Sequence, residues 1–292
     1  MRELTRKEHV EARTLMAKAT EPDEERQIAT VTSTDGTEIA YERSGSGPPL
    51  VLVHGAMFDR SIWELGDVRS ALAEHTTVYA MDRRNHGDSE SSHDFSVEAQ
   101  LADVVAVVES IDEPAHVLGH SSGANFAAWA APRIDNLRSL ILHEPPDPTD
   151  EDVGANLEEL MEEAMALLDE GQNEQANALF VGDFAQFAPD EHEELRSSPV
   201  WDAHVDTFPQ TLLPELEAGG EYEWELTPFE ALSTPTLLLV GSESGHKGMA
   251  QKLHEMMPNS RLVTFEGYGH AAHLVAPDRY TDEVLSFISE VD

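Results

Sequence analysis

Residues 115–130 read AHVLGHSSGANFAAWA, and this stretch decides the fold. Three of its first four residues are apolar, as in a buried strand, and its small-residue second half is typical of a helix. Between them stands the pattern G-x-S-x-G, Gly119-His120-Ser121-Ser122-Gly123. Glycines at both ends permit a strand-to-helix turn that is too tight for a Cβ atom. Such a turn exposes the central serine at a helix N-terminus, so Ser121 is the candidate nucleophile.

The same alternation of apolar strands and helices continues outward from this turn. It predicts an α/β fold with a mostly parallel sheet of about eight strands and helices on both faces. Residues 147–232 interrupt the pattern, contain no convincing strand and are predicted to be a helical insertion. The core is therefore expected at residues 28–146 and 233–292. Residues 1–27 are predicted to form a helical extension.

Two further segments come directly after predicted strands. His54-Gly55-Ala56-Met57 follows the apolar residues 50–53, and a His-Gly turn aims backbone N–H groups at the sheet edge. The N–H groups of Ala56 and Ser122 are therefore predicted to form an oxyanion hole, with Met57 as the alternative to Ala56.

Gly267-Tyr268-Gly269-His270 follows the last predicted strand, and a histidine on such a loop can meet a serine. His270 is the candidate general base. His273 is expected to line the site or to be structural, and His54 to be structural more than catalytic. We expect the substrate-lining side chains to come from one set: His54, Met57, His120, Glu144 and His273.

Composition excludes several classes of function. The chain has 57 Asp and Glu against 18 Lys and Arg, a formal charge of −39, which disfavours binding to nucleic acid or to anionic membranes. The absence of cysteine excludes disulfides and thiolate nucleophiles. No histidine spacing suggests zinc, so neither a metal nor a cofactor is expected.

The charge balance also bears on where the protein works. With an ordinary hydrophobic fraction of 40%, such acidity resembles that of halophilic proteins, because at molar salt the Debye length falls to ~3 Å. The charged N-terminus and the lack of a long apolar run favour a cytoplasmic protein. The oligomeric state stays open.

Together these features resemble the α/β-hydrolase superfamily over roughly residues 28–290. The loop Asp82–Ser89 is similar to its D-x-R-G-H-G-x-S pattern, with Asn85 where glycine is usual. His54-Gly55 followed by Trp63 resembles the H-G-(x)7-W pattern of the capped esterase, haloperoxidase-like and C–C hydrolase branch. The resemblance implies that residues 147–232 are a cap and that Asp82, Arg83 and His86 are mainly structural.

The resemblance also implies a carboxylate behind His270, and two residues compete for that role. Family members usually place it as G-x-x-D after the seventh strand, where this chain has Gly241-Ser242-Glu243-Ser244. Glu243, one residue early, is the first choice. Glu144, after the sixth strand, is the alternative, and Asp278 is a more distant one.

The function expected from this triad is hydrolysis of small-molecule esters through an acyl-enzyme, as in a carboxylesterase. A serine at position 121 argues against epoxide hydrolases and haloalkane dehalogenases, which use aspartate there. A C–C bond hydrolase, a lactonase and a haloperoxidase-like perhydrolase remain alternatives. A ligand-binding or regulatory homologue with little turnover is the alternative from another class.

Overall fold

The computed structural model describes residues 27–205 and 208–292. Its strands are β1 (Gln27–Thr32), β2 (Glu38–Gly45), β3 (Pro49–Val53), β4 (Thr77–Met81), β5 (Ala115–His120), β6 (Leu137–His143), β7 (Thr236–Gly241) and β8 (Ser260–Phe265). They form one eight-stranded sheet in the order β1-β2-β4-β3-β5-β6-β7-β8. The pairs β1–β2 and β2–β4 are antiparallel, and all other neighbours are parallel. The expected fold class is confirmed.

Helices connect these strands. They are α1 (Val68–Ala73), α2 (Val97–Glu109), α3 (Ser122–Ala130), α4 (Glu151–Asp169), α5 (Asn173–Leu179), α6 (Pro189–Arg196), α7 (Pro199–His204), α8 (Phe208–Glu221), α9 (Lys247–Met256), α10 (Ala272–Val275) and α11 (Pro277–Val291). Short 3-10 helices cover Arg60–Asp67, Ala131–Arg133 and Thr227–Ala231, and a π-helix covers Phe180–Phe184. No helix in the described residues combines the length and the apolar character needed to cross a bilayer.

The parallel strands are covered on both faces because successive side chains point to opposite sides of a sheet. In β3, Leu50 and Leu52 belong to one core, while Val51 and Val53 belong to the other. The first core includes residues of α11, and the second includes residues of α2, α3 and α9. Burial on both faces explains why these strands read as continuous apolar runs.

The segment between β6 and β7 contains helices α4 to α8 and, in its described residues, no strand. We refer to residues 147–232 as the insertion. Phe180 and Ala185 of the insertion line the same cavities as Ser121, so the insertion lies over the carboxyl edge of the sheet. The helical extension expected at residues 1–27 lies outside the described residues, except for Gln27, the first residue of β1.

Candidate active site

Ser121 lies at the turn between β5 and α3 in a backbone conformation that residues other than glycine rarely adopt. Its backbone angles are φ 55° and ψ −127°, a strained geometry of the kind found at functional sites. A Cβ atom on Gly119 would lie 2.3 Å from the carbonyl oxygen of Gly123, and one on Gly123 would lie 2.3 Å from that of His54. The turn therefore requires both glycines, as the sequence pattern predicted.

The loop after β3 packs directly against this turn. A Cβ atom on Gly55 would lie 3.0 Å from the Cβ atom of Ser121. Ala56 and Ser122, the predicted oxyanion-hole residues, line with Ser121 a cavity of about 180 Å³. Met57, the alternative, has φ 73° and lines a smaller adjoining cavity of about 30 Å³. The residues predicted to supply the donors thus line the same two cavities as the nucleophile.

His270 shares the smaller cavity with Ser121. Its side chain is buried, and burial lowers the pKa of His270 to about 3, so the imidazole is neutral at ordinary pH. A neutral ring is the form that can accept a proton. The structure therefore brings the predicted nucleophile and the predicted base to one cavity.

Glu144 is the carboxylate beside His270. Its Oε2 atom lies 3.6 Å from the Nδ1 atom of His270, and both side chains are buried. The Ser244 hydroxyl donates a hydrogen bond to the same Oε2 atom, and the Gly241 N–H donates one to Oε1. Burial raises the pKa of Glu144 to about 7, while these two hydrogen bonds act to lower it. Glu144 itself has φ 55°, so it is strained like Ser121 and Met57.

The first choice for the acid, Glu243, does not reach His270. Its side chain is exposed, and its Oε1 atom accepts a hydrogen bond of 3.1 Å from the neighbouring Ser242 hydroxyl. Within residues 27–205 and 208–292, no ion pair joins Glu243 to a histidine. The expected loop rotation is absent because the Glu243 N–H donates to the carbonyl oxygen of Tyr268, which fixes the loop with this side chain outward.

The predicted substrate-lining residues divide into two groups. Met57, His120 and His273 line the smaller cavity. His54 and Glu144 are fully buried and are not among the residues that line either cavity, so their contact with substrate stays a prediction. The polar atoms of both side chains contact neighbouring protein groups. Nδ1 of His54 lies beside the carbonyl oxygen of Gly55, and the Glu144 carboxylate accepts a hydrogen bond from Ser244 in the loop after β7.

The sequence did not reveal that Arg83, which follows β4, joins the insertion to the loop after β3. The guanidinium of Arg83 donates to Glu215 of α8 at 2.9 Å and to the carbonyl oxygen of Gly55 at 2.9 Å. The Arg83 N–H donates to Nε2 of His54 at 3.0 Å, and Nδ1 of His54 lies 2.8 Å from the same Gly55 oxygen. These contacts hold the backbone just before Ala56. They also agree with the structural role expected for Arg83 and His54.

Sequence reasoning also missed Ser244 and His246. The Ser244 Oγ atom accepts a hydrogen bond of 3.0 Å from the His246 N–H, and the His246 ring lies 4.8 Å from that of His270. Burial and the nearby His270 lower the pKa of His246 to about 4. The G-x-x-D comparison did mark position 244, although as the place of a missing aspartate.

One group of side chains in the described part of the chain has the arrangement of a metal site: His120, His143 and His273. No metal was expected from the sequence. These residues are far apart in the chain, and spacing rules detect only ligands that lie close together.

A family model described as "Alpha/beta hydrolase family" matches residues 50–283. The chain belongs to the alpha/beta hydrolase family. The match begins in β3 and ends in α11, so it spans the turn at Ser121, the insertion and the loop of His270.

Individual relatives agree with this assignment. A curated relative from Haemophilus influenzae, named a putative esterase/lipase, is 26% identical over 83% of this alpha/beta hydrolase and 84% of its own length. The solved structure of an alpha/beta hydrolase from Sphaerobacter thermophilus is 33% identical, with a TM-score of 0.71, and covers 89% of this chain and 100% of its own. An esterase from Rhodococcus has a TM-score of 0.74 at 22% identity, over 91% of this chain and 99% of its own. That last likeness shows the fold alone.

Proposed function

We propose that this alpha/beta hydrolase cleaves small-molecule carboxylic esters with Ser121 as the nucleophile, His270 as the general base and Glu144 as the carboxylate. The observation that carries the proposal is the distance of 3.6 Å between the buried Glu144 carboxylate and Nδ1 of His270. His270 in turn lines one cavity with Ser121. A nucleophile, a base and a group that orients the base are the parts that acyl transfer needs.

In the first half of the reaction, His270 takes the hydroxyl proton of Ser121 as the oxygen attacks the ester carbonyl. Glu144 faces the Nδ1 side of the ring and stabilises the imidazolium that forms. The separation of 3.6 Å is longer than a hydrogen bond, and such contacts are often long before substrate binds. His270 then gives its proton to the departing alcohol, which leaves an acyl-enzyme on Ser121.

In the second half, water attacks the acyl-enzyme with His270 again acting as the base, and the acid product is released. In both halves, negative charge develops on the former carbonyl oxygen. The N–H groups of Ala56 and Ser122 donate hydrogen bonds to that oxygen, and the dipole at the N-terminus of α3 also stabilises its negative charge. Losing one such donor typically costs about 10²–10³ in kcat.

The larger cavity favours an ester over an anionic carbon–carbon substrate. Most of its lining is apolar, including Phe126, Phe180 and Trp224, and no lysine or arginine is among its lining residues, all of which are described. Its charged lining residues are carboxylates, among them Asp147 and Glu215. A dienoate-type substrate of a C–C hydrolase would need a cation for its carboxylate, so an uncharged acyl group fits better.

The test is hydrolysis of p-nitrophenyl acetate, butyrate and octanoate in multimolar KCl by the wild type and by Ser121→Ala. We expect turnover in the wild type and a loss of more than about 10³-fold in the variant. Turnover that survives in Ser121→Ala would refute the proposal. An inert, folded wild type would favour a ligand-binding homologue.

A further inference from the structure

A cluster of histidines lies beside the nucleophile turn: His120 directly precedes Ser121 in the chain, and His120 and His273 line the smaller cavity. His120 stacks on His143 with ring centroids 4.7 Å apart and meets His273 edge-on at 4.6 Å. The rings of His143 and His273 are 5.3 Å apart. His143 and His273 are fully buried, and His120 is 5% exposed. We call these three residues the histidine cluster.

The cluster contains an unusual number of polar atoms without a partner. Both ring nitrogens of His143 and both of His273 are buried and make no hydrogen bond. The Nε1 atom of Trp63 and the hydroxyl of Tyr280, whose rings pack against His273, are also without a partner. A buried polar group without a partner costs roughly 1–3 kcal/mol, so a bound species that satisfies several of them would be strongly favoured.

The chemistry of this set suits a transition-metal ion better than other ligands. Three neutral imidazoles are a donor set used for zinc, with the remaining position left to water. Burial lowers the pKa of all three side chains well below the usual histidine value, so each ring is neutral and has one nitrogen without a proton that can bind a metal. Nε2 of His120 lies 3.0 Å from the carbonyl oxygen of His270, the kind of outer contact that orients a ligating histidine.

The ring nitrogens of the histidine cluster are arranged nearly as around a bound zinc ion, but they lie farther apart. One ring nitrogen from each residue lies within 4.8 Å of the others. Around tetrahedral zinc, nitrogens at 2.0–2.1 Å from the metal are about 3.3 Å apart, so side-chain rotation must close the set by up to about 1.5 Å. The smaller cavity, lined by His120 and His273, provides room for a water ligand.

The geometry points to a buried binding site for one divalent transition-metal ion, such as Zn²⁺, at His120, His143 and His273. Its effect on catalysis follows from its position, and this part alone rests on the proposed function. The ring of His120 lies 4.9 Å from that of His270, so a dication in the cluster opposes the positive charge that His270 must acquire. Occupancy therefore inhibits ester hydrolysis reversibly.

The experiment measures binding first and activity second. Protein freed of metal with EDTA is dialysed against ZnCl₂ in multimolar KCl at pH 8, and bound zinc is counted by elemental analysis. Co²⁺ is titrated in parallel, because tetrahedral coordination gives an intense visible absorption. His143→Gln is the test variant, and His75→Gln, at an exposed position, is the matched control. His143→Phe is a second test variant.

We expect one zinc per chain in the wild type and in His75→Gln, and an affinity lower by more than about 100-fold in His143→Gln, because even outer-shell changes cost 10–100-fold. Zinc should inhibit ester hydrolysis in parallel with binding, and chelation should restore it. Absence of binding and of the cobalt absorption in the wild type would overturn the site, whatever the variants do. Equal binding by all folded variants would overturn it too, because it would place the metal elsewhere. Binding without inhibition would overturn only the effect on catalysis.

Discussion

The hydroxyl of Ser244 donates a hydrogen bond to the carboxylate of Glu144, across two loops that are 100 residues apart in the chain. Ser244 occupies the position after β7 where the G-x-x-D pattern would have its aspartate. Glu144 extends from the end of the neighbouring strand β6 and faces His270. The carboxylate that faces His270 thus comes from the strand beside β7, and Ser244, at the G-x-x-D position, holds it by a hydrogen bond.

Glu144→Gln is expected to lower kcat/KM for ester hydrolysis by about 10²–10⁴, because a neutral amide cannot stabilise the imidazolium of His270. Glu243→Gln is the matched control in the loop after β7, and its kcat/KM should stay within about twofold of the wild type, since its side chain is exposed. Steady-state kinetics in multimolar KCl measure both. The reverse ranking would return the acid to the loop after β7.

The pH dependence of hydrolysis should follow the ionisation of Glu144. Burial raises its pKa to about 7, and only the ionised form can stabilise a positive His270, so kcat/KM should fall as the pH drops through about 7. The lowered pKa of His270 keeps that ring neutral throughout this range. The dependence of kcat/KM on pH is measured with an assay whose signal does not itself change with pH, such as chromatography of the product. A midpoint below pH 5 would mean that Glu144 does not limit the reaction.

Ser244→Ala should shift that midpoint upward. The variant removes a hydroxyl donor from the ionised carboxylate of Glu144, and a hydrogen bond to a charged group is worth about 1.5–3 kcal/mol, or about one to two pH units. Ser242→Ala, a serine of the same loop that bonds Glu243 and Gly267, is the control and should leave the midpoint unchanged. Equal midpoints in both variants would deny Ser244 this role.

Glu215→Gln should weaken both stability and turnover. It leaves the guanidinium of Arg83, which is 1% exposed, without its charged partner, a change that typically costs 3–5 kcal/mol. Arg83 also holds the carbonyl oxygen of Gly55, so the loop carrying Ala56 loses support. Glu174→Gln breaks the exposed pair with Arg196 and should cost at most about 1 kcal/mol. Thermal unfolding of both variants in one buffer measures their losses of stability. Similar losses would mean that the buried Arg83–Glu215 pair contributes no more than an exposed pair.

Salt should stabilise the folded chain. Its formal charge of −39 repels itself at low ionic strength, and molar salt screens that repulsion. We expect the unfolding midpoint, followed by circular dichroism, to rise by about 10 °C or more between 0.1 M and 3 M KCl, with a similar rise in NaCl. A midpoint that is unchanged across this range would refute the halophilic interpretation.

The turn at Ser121 and the position of His270 could be predicted because local sequence determines them. Gly119 and Gly123 stand where any Cβ atom would collide with backbone, so the pattern itself carries the geometry. His270 follows a strand at the sheet edge where sites of such folds assemble. The order of apolar strands and helices gave the fold for the same reason.

Which carboxylate lies beside His270 could not be predicted because it depends on two loops meeting in space. The carboxylate after β6 faces His270, while the Glu243 N–H in the loop after β7 bonds the Tyr268 carbonyl oxygen, and local sequence reveals neither contact. The link between Arg83 and Glu215 spans 132 residues and depends on how the insertion packs. The histidine cluster likewise draws its members from three separate segments.

In the proposed mechanism, Glu144 activates Ser121 through His270. The most direct measurement is the rate at which a fluorophosphonate labels Ser121, followed by mass spectrometry in the wild type, Glu144→Gln and Glu243→Gln under the same KCl concentration. We expect rapid labelling of Ser121 in the wild type and in Glu243→Gln, and labelling at least about 100-fold slower in Glu144→Gln. Equal rates in the wild type and Glu144→Gln, with both proteins folded, would contradict it.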